Sequence, residues 1–122
     1  MSKKTVIIGA SSNPARYSFL AAETLKDHGH EFVPLALKRG SVLGLDIIDI
    51  RSKPVLRDVD TVTLYVGPQR QPEWYEYILS MKPKRLIFNP GAENPEFEKL
   101  AEAAGVSAIE ACTLVMLRTG QY

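Results

Sequence analysis

Gly9, Ala10, Ser11, Ser12 and Asn13, followed by Arg16 and Ser18, are residues whose types and order suit the holding of a phosphate. The apolar run at residues 5–8 delivers the chain into them, and a helical pattern begins at Tyr17. The first N–H groups of a helix have no intrahelical acceptor, and the macrodipole places roughly half a positive charge there. Small side chains let an anion reach that backbone, hydroxyls and an amide add hydrogen bonds, and Arg16 adds charge on the first turn. A plainer role exists for the same residues. Gly9 would make a tight strand-to-helix turn, Ser12 or Asn13 would cap the helix, and Pro14 would take its first position.

A second basic element follows the second apolar run, where Lys38-Arg39-Gly40 stands. A dinucleotide-binding domain places an acidic residue there to hydrogen-bond a ribose 2′-hydroxyl, and a basic pair instead favours a phosphorylated ribose. The 2′-phosphate of NADP and the 3′-phosphate of coenzyme A (CoA) both meet that description. The first turn lacks the second and third glycines of G-x-G-x-x-G, and it lacks the Gly-Lys-Ser/Thr ending of a P-loop with its magnesium chemistry.

The elements that must carry these residues alternate along the chain. Runs at residues 5–8, 31–37, 61–66, 85–89 and 107–109 are apolar and β-branched, the pattern of strands buried on both faces. Between them lie helical spacings. Residues 17–28 put Leu20, Ala21, Thr24 and Leu25 on one face, ending at Gly29. Residues 73–81 gather Trp74, Tyr77, Ile78 and Met81, and residues 95–104 turn Phe97, Leu100 and Ala104 inward. Residues 113–118 form a last short helix. The expected architecture is α/β, a three-layer, Rossmann-like parallel sheet flanked by helices, in one domain over residues 1–122. Residues 38–58 break the alternation and are expected to form a loop with short strands near residues 46–48 and Val55.

In such a sheet a ligand lies beyond the carboxyl ends of the strands, where strand order reverses. Two further loops therefore matter: Tyr65, Val66, Gly67 and Pro68 after the third run, and Asn89, Pro90 and Gly91 after the fourth. The chain has 122 residues, 45% of them hydrophobic, with 15 Lys and Arg against 14 Asp and Glu. That balance offers no broad electrostatic grip on nucleic acid or an anionic membrane. No apolar run reaches the roughly 20 residues needed to span a bilayer, no signal sequence is legible, and the lone Cys112 permits neither an internal disulfide nor a multi-cysteine zinc site. A cytoplasmic protein is expected.

Gly9-Ala10-Ser11-x-Asn13-Pro14-x-Arg16-x-Ser18, then Lys38-Arg39-Gly40 with Gly44, then Gly67-Pro68 and a late Glu110-x-Cys112, resemble the small stand-alone CoA-binding domain family. That family is similar in fold to the nucleotide-binding domain at the front of the succinyl-CoA synthetase alpha subunit. The resemblance implies CoA or an acyl-CoA as ligand. Backbone amides of residues 9–13, with Arg16 and Ser18, would hold the pyrophosphate; Lys38 would approach the adenosine phosphate; residues 65–68 and 89–91 would line the rest of the groove.

Catalytic and metal-binding residues are not expected. His28 and His30 flank a turn at the opposite end of the sheet and read as surface residues. Cys112 is the one nucleophile candidate, positioned for a mixed disulfide with a thiol or, more simply, for packing. Glu93 and Glu110 read as solvated charge, and Trp74, Tyr75 and Tyr77 as helix packing. The functional expectation is a CoA-binding carrier, sensor or regulatory module, with a protein partner or homo-oligomer compatible. An NADP-linked oxidoreductase and an interaction module with a vestigial groove are the alternatives.

Overall fold

A computed structural model describes residues 2–122. Strand β1 (Thr5–Ile8) leads to helix α1 (Tyr17–Asp27), then β2 (Phe32–Ala36), and a small hairpin of β3 (Ser41–Val42) and β4 (Leu45–Asp46). Next come β5 (Ile48–Asp49), β6 (Thr61–Leu64), α2 (Tyr75–Ser80), β7 (Arg85–Phe88), α3 (Pro95–Ala103), β8 (Ser107–Glu110) and α4 (Thr113–Arg118). Six strands form one sheet in the order β5-β2-β1-β6-β7-β8, and every pairing in it is parallel. This is the three-layer Rossmann-like α/β architecture that the alternation predicts.

Burial explains the order. Every residue of β1 and of β6 is buried, so both strands belong at the centre with helices on each face. On one face Val6, Ile8, Val62, Leu64, Leu86 and Phe88 meet Trp74, Tyr77, Ile78 and Met81 around α2 and Phe97 and Ala101 of α3. On the other, Ile7 and Phe32 meet Ala22 and Leu25 of α1 and Leu117 of α4. Phe97 is fully buried, its ring stacked on Tyr75 at 4.3 Å and edge-on to Phe88 at 5.7 Å.

Several expectations need correction. β8 is an edge strand with exposed ends rather than one buried on both faces. In α1 the buried residues are Ser18, Ala21, Ala22 and Leu25, while Leu20 and Thr24 are half-buried. Small side chains let that helix lie close to the sheet. In α3 Phe97 and Ala101, four apart, face inward, whereas Leu100 is 44% exposed and Ala104 lies on the surface. The segment after Pro72 opens as a 3₁₀ turn, Pro72–Trp74, before α2. Val55 is 84% exposed and joins no strand. β5 instead pairs with β2, setting Asp49 beside Ala36.

His28 is exposed, but His30 is not simply a surface residue. Its Nδ1 accepts the Lys3 amide N–H at 2.9 Å, and its ring meets Tyr122 at 5.1 Å. Arg85 lies over the Tyr122 ring at 4.3 Å, and the Tyr122 hydroxyl hydrogen-bonds Thr5. This cluster lies at the amino ends of β1 and β7. Among the described residues no helix is long and apolar enough to cross a membrane.

Candidate functional site

The turn after β1 is built around Gly9, whose φ of +94° is costly for any residue with a Cβ. A Cβ there would also stand 3.1 Å from the backbone carbonyl of Tyr65, so the loops after β1 and β6 touch at this point. These adjacent strands mark the place where the chain's strand order reverses. Within the turn, the Gly9 and Ala10 amides donate to the Leu35 carbonyl at 2.9 and 3.1 Å. The Asn13 amide donates to Ser11 Oγ, the Ala15 amide to Asn13 Oδ1, and the Arg16 amide to the Asn13 carbonyl.

Of the amides in residues 9–13, then, those of Gly9, Ala10 and Asn13 are already engaged. The N–H groups of Ser11, Ser12, Tyr17 and Ser18 have no acceptor among the described residues. Neither Ser12 nor Asn13 caps α1, and Pro14 lies in the turn before it. Arg16 occupies the cap position, with extended backbone and no side-chain hydrogen bond. An uncapped helix start with open N–H groups is a site for an external acceptor.

Above this turn lies a cavity of 540 Å³, within the range of small-molecule sites. It brings together Gly9, Ser11, Asn13, Arg16 and Ser18 from the first loop, Lys38 from the second, Tyr65, Val66 and Gly67 from the third, and Pro90 and Gly91 from the fourth. Five expected residues do not line it. Ala10 packs into the core, and Ser12 sits against Gly40. Arg39 faces a smaller adjoining cavity, and Pro68 begins an exposed 3₁₀ turn, Pro68–Arg70. Asn89 is 2% exposed and its side chain is spent elsewhere. Its Nδ2 donates to Thr63 Oγ1 and the Leu64 carbonyl, while its Oδ1 accepts the Thr113 amide at the start of α4.

The groove also contains residues that the sequence reading did not single out as ligand contacts. Ile50 and Trp74 give it apolar wall, Ala36, Leu37 and Ala92 flank it, and Tyr17, Arg70 and Glu73 add polar groups. The Gly67-Pro68 turn announced a bend, and the charged residues just after it were the available signal. Arg16, Lys38 and Arg70 against Glu73 leave the lining with surplus positive charge.

Buried amides hold the walls together. Gln71 is fully buried; its Nε2 donates to the carbonyls of Val66 at 2.9 Å and Ala92 at 2.8 Å, and its Oε1 accepts from Asn94 Nδ2. The loop after β6 and the loop after β7 are thereby tied to each other. Asn94 also caps α3 through the Phe97 amide. The Tyr65 hydroxyl is buried near Thr63 and Thr113, whose hydroxyls bond each other at 2.8 Å, and it has no hydrogen-bond partner among the described residues. Burial pushes that phenol up to about 12. The phenol is therefore neutral at ordinary pH.

Cys112 occupies the cap position of α4, half-buried and outside the groove lining. Glu93 is exposed but has a local task, accepting the Gly91 amide at 2.8 Å. Burial, followed by the nearby Glu110 carboxyl group, raises Glu98 above its ordinary value. That pair lies on α3 and the edge strand, away from the groove. Trp74 and Tyr77 are buried as helix packing predicts, with the Tyr77 hydroxyl on the Pro54 carbonyl, but Trp74 also faces the cavity.

A parallel six-stranded sheet flanked by helices, with an open helix start at its switch point, defines a Rossmann-like α/β protein. The chain belongs to the CoA binding domain family, which it matches over residues 3–118. It is similar to a crystal structure of an uncharacterized protein at 53% identity, with a TM-score of 0.97, covering 100% of this chain and 99% of that one. It is also similar to a hypothetical protein from Pyrococcus horikoshii OT3, 27% identical, TM-score 0.78, over 96% of this chain and 83% of the other. A conserved hypothetical protein from Pyrococcus furiosus is 28% identical, TM-score 0.76, over 88% and 92%. No curated protein matches the chain by sequence.

Proposed function

We propose that this chain binds CoA or an acyl-CoA in the 540 Å³ groove and serves as a carrier, sensor or regulatory module rather than as a complete enzyme. Family membership supports CoA binding in general. The observation that carries the reading for this groove is the uncapped start of α1, where the Ser11, Tyr17 and Ser18 amides are open beside Arg16. Those groups suit a diphosphate, Lys38 suits the adenosine phosphate, and the wall of Val66, Trp74, Pro90 and Ala92 suits the less polar arm of the ligand. No pair of groove residues forms a nucleophile and base, so binding is the activity assigned.

Calorimetric titration of the purified protein with CoA, dephospho-CoA and NADP is the test. The expected result is saturable binding of CoA in preference to both others. Equal affinity for all three would overturn the reading. The Lys38-Arg39 pair favours one alternative, an NADP-linked role, and tighter binding of NADP in the same titration would select it.

A further inference from the structure

A second cavity, of 200 Å³, adjoins the groove and shares Ala36, Leu37 and Lys38 with it. Its remaining lining is Arg39, Ile47, Asp49 and Arg51. Pairing of β5 with β2 places Asp49 opposite Ala36, at the carboxyl end of the strand that leads into Lys38. A nucleotide-binding sheet handles the ribose beside that strand end. Here the position holds an arginine fastened to a carboxylate.

The fastening is specific. Arg51 Nε donates to Asp49 Oδ1 at 3.0 Å and Nη2 donates to Oδ2 at 3.0 Å, while the Arg51 amide donates to Oδ1 at 2.9 Å. Asp49 caps the 3₁₀ turn Ile50–Ser52, and its carbonyl accepts the Ser52 hydroxyl at 2.7 Å. The guanidinium is thus oriented through one edge, and Nη1 on the other edge makes no hydrogen bond among the described residues. Lys38 and Arg39 form no ion pair among the described residues. Three cations facing one carboxylate leave a positive surplus in a space sized for a small anion. Both partners of the Arg51–Asp49 pair are largely exposed, a setting in which an ion pair adds little to stability. What the pair does supply is a pre-oriented fork.

Building on the CoA reading above, which gives Lys38 the adenosine phosphate, we propose that Arg51, oriented by Asp49 and with Arg39 beside it, is a specificity-determining contact for that ribose phosphate. Arg51 would be a ligand contact and Asp49 its positioning residue. The repulsion between Asp49 and the incoming phosphate is offset because the carboxylate's charge is already engaged by the guanidinium.

CoA and dephospho-CoA differ only in the ribose phosphate, so paired calorimetric titrations isolate this contact. Wild type is expected to bind CoA about tenfold or more tightly than dephospho-CoA, the value of roughly one charge-assisted hydrogen bond. Arg51→Ala is expected to remove most of that ratio while leaving the affinity for dephospho-CoA unchanged. Arg51→Lys keeps the charge but not the fork, and Asp49→Asn keeps the cap but frees the guanidinium; each is expected to give an intermediate ratio. Equal weakening of both ligands by Arg51→Ala, or an unchanged ratio, would overturn the Arg51 contact and leave the groove reading standing. A wild type that binds neither ligand would overturn both.

Discussion

At the scale of single residues, Gly9 carries two constraints at once. Its φ of +94° excludes easy substitution, and its missing Cβ is what lets the Tyr65 carbonyl approach. Gly9→Ala is expected to destabilise the protein by about 1–3 kcal/mol from the backbone alone. It should also force apart the two loops that floor the groove. Urea denaturation measures the first effect, and a variant as stable as wild type would contradict the close approach. The placement of Gly9, Arg16 and Lys38 at the groove was legible because each owes its position to its own chain neighbourhood. Arg39 was not separable from Lys38 in that way. The adjacent side chains leave the turn differently, so Lys38 faces the groove while Arg39 faces only the side cavity.

At the scale of elements, the groove's walls are held by a buried amide as well as by apolar packing of Val66, Trp74 and Ala92. Gln71 joins the loop after β6 to the loop after β7, with all of its hydrogen bonds inside the protein. Gln71→Ala is expected to cost roughly 2–4 kcal/mol, since the carbonyls of Val66 and Ala92 and the Asn94 amide lose their partner. Gln71→Glu should be worse despite its shape, because a carboxylate oxygen would face two carbonyl oxygens. Denaturation curves of the two variants give the ranking, and a Glu variant as stable as wild type would refute the bonding scheme. Nothing near Gln71 in the chain reveals this task, since its partners lie at residues 66, 92 and 94 and meet it only after folding. The strands and helices were legible for the opposite reason. β-Branched runs, prolines and glycines act locally, and the errors fell at strand ends, at helix faces one residue out of phase, and in residues 38–58. There the short β5 takes its place from pairing with β2 rather than from its own pattern.

At the scale of the whole molecule, the two ends of the sheet differ. The carboxyl ends open onto the groove, whereas at the amino ends Lys3, His30, Arg85 and Tyr122 form a cluster beside a separate cavity lined by Lys4, Glu31, Asp60 and Lys84. Burial, then the nearby Lys3, His28 and Arg85 charges, lower His30 below its ordinary value of about 6.5. The unfolded chain therefore binds this proton more readily than the folded one, so the stability linked to His30 is complete above about pH 6.5 and declines as pH falls through the folded value. Chemical denaturation at pH 8 and at pH 5.5 should show this loss, and His30→Asn should flatten it, since an amide oxygen can still accept the Lys3 N–H. An identical slope in the variant would assign the pH dependence to other groups.

The touch between Gly9 and Tyr65 has a consequence for how the protein comes into being. Residues 9 and 65 directly follow strands that pair side by side although a helix, a strand, a hairpin and a further short strand separate them in the chain. Loops of that length close late and at an entropic cost, after the local turns have formed. A newly made chain therefore cannot present a half-built groove: α1 and its open amides gain their opposite wall only when β6 has docked on β1. Pairing of β6 with β1 is thus a precondition of the groove itself.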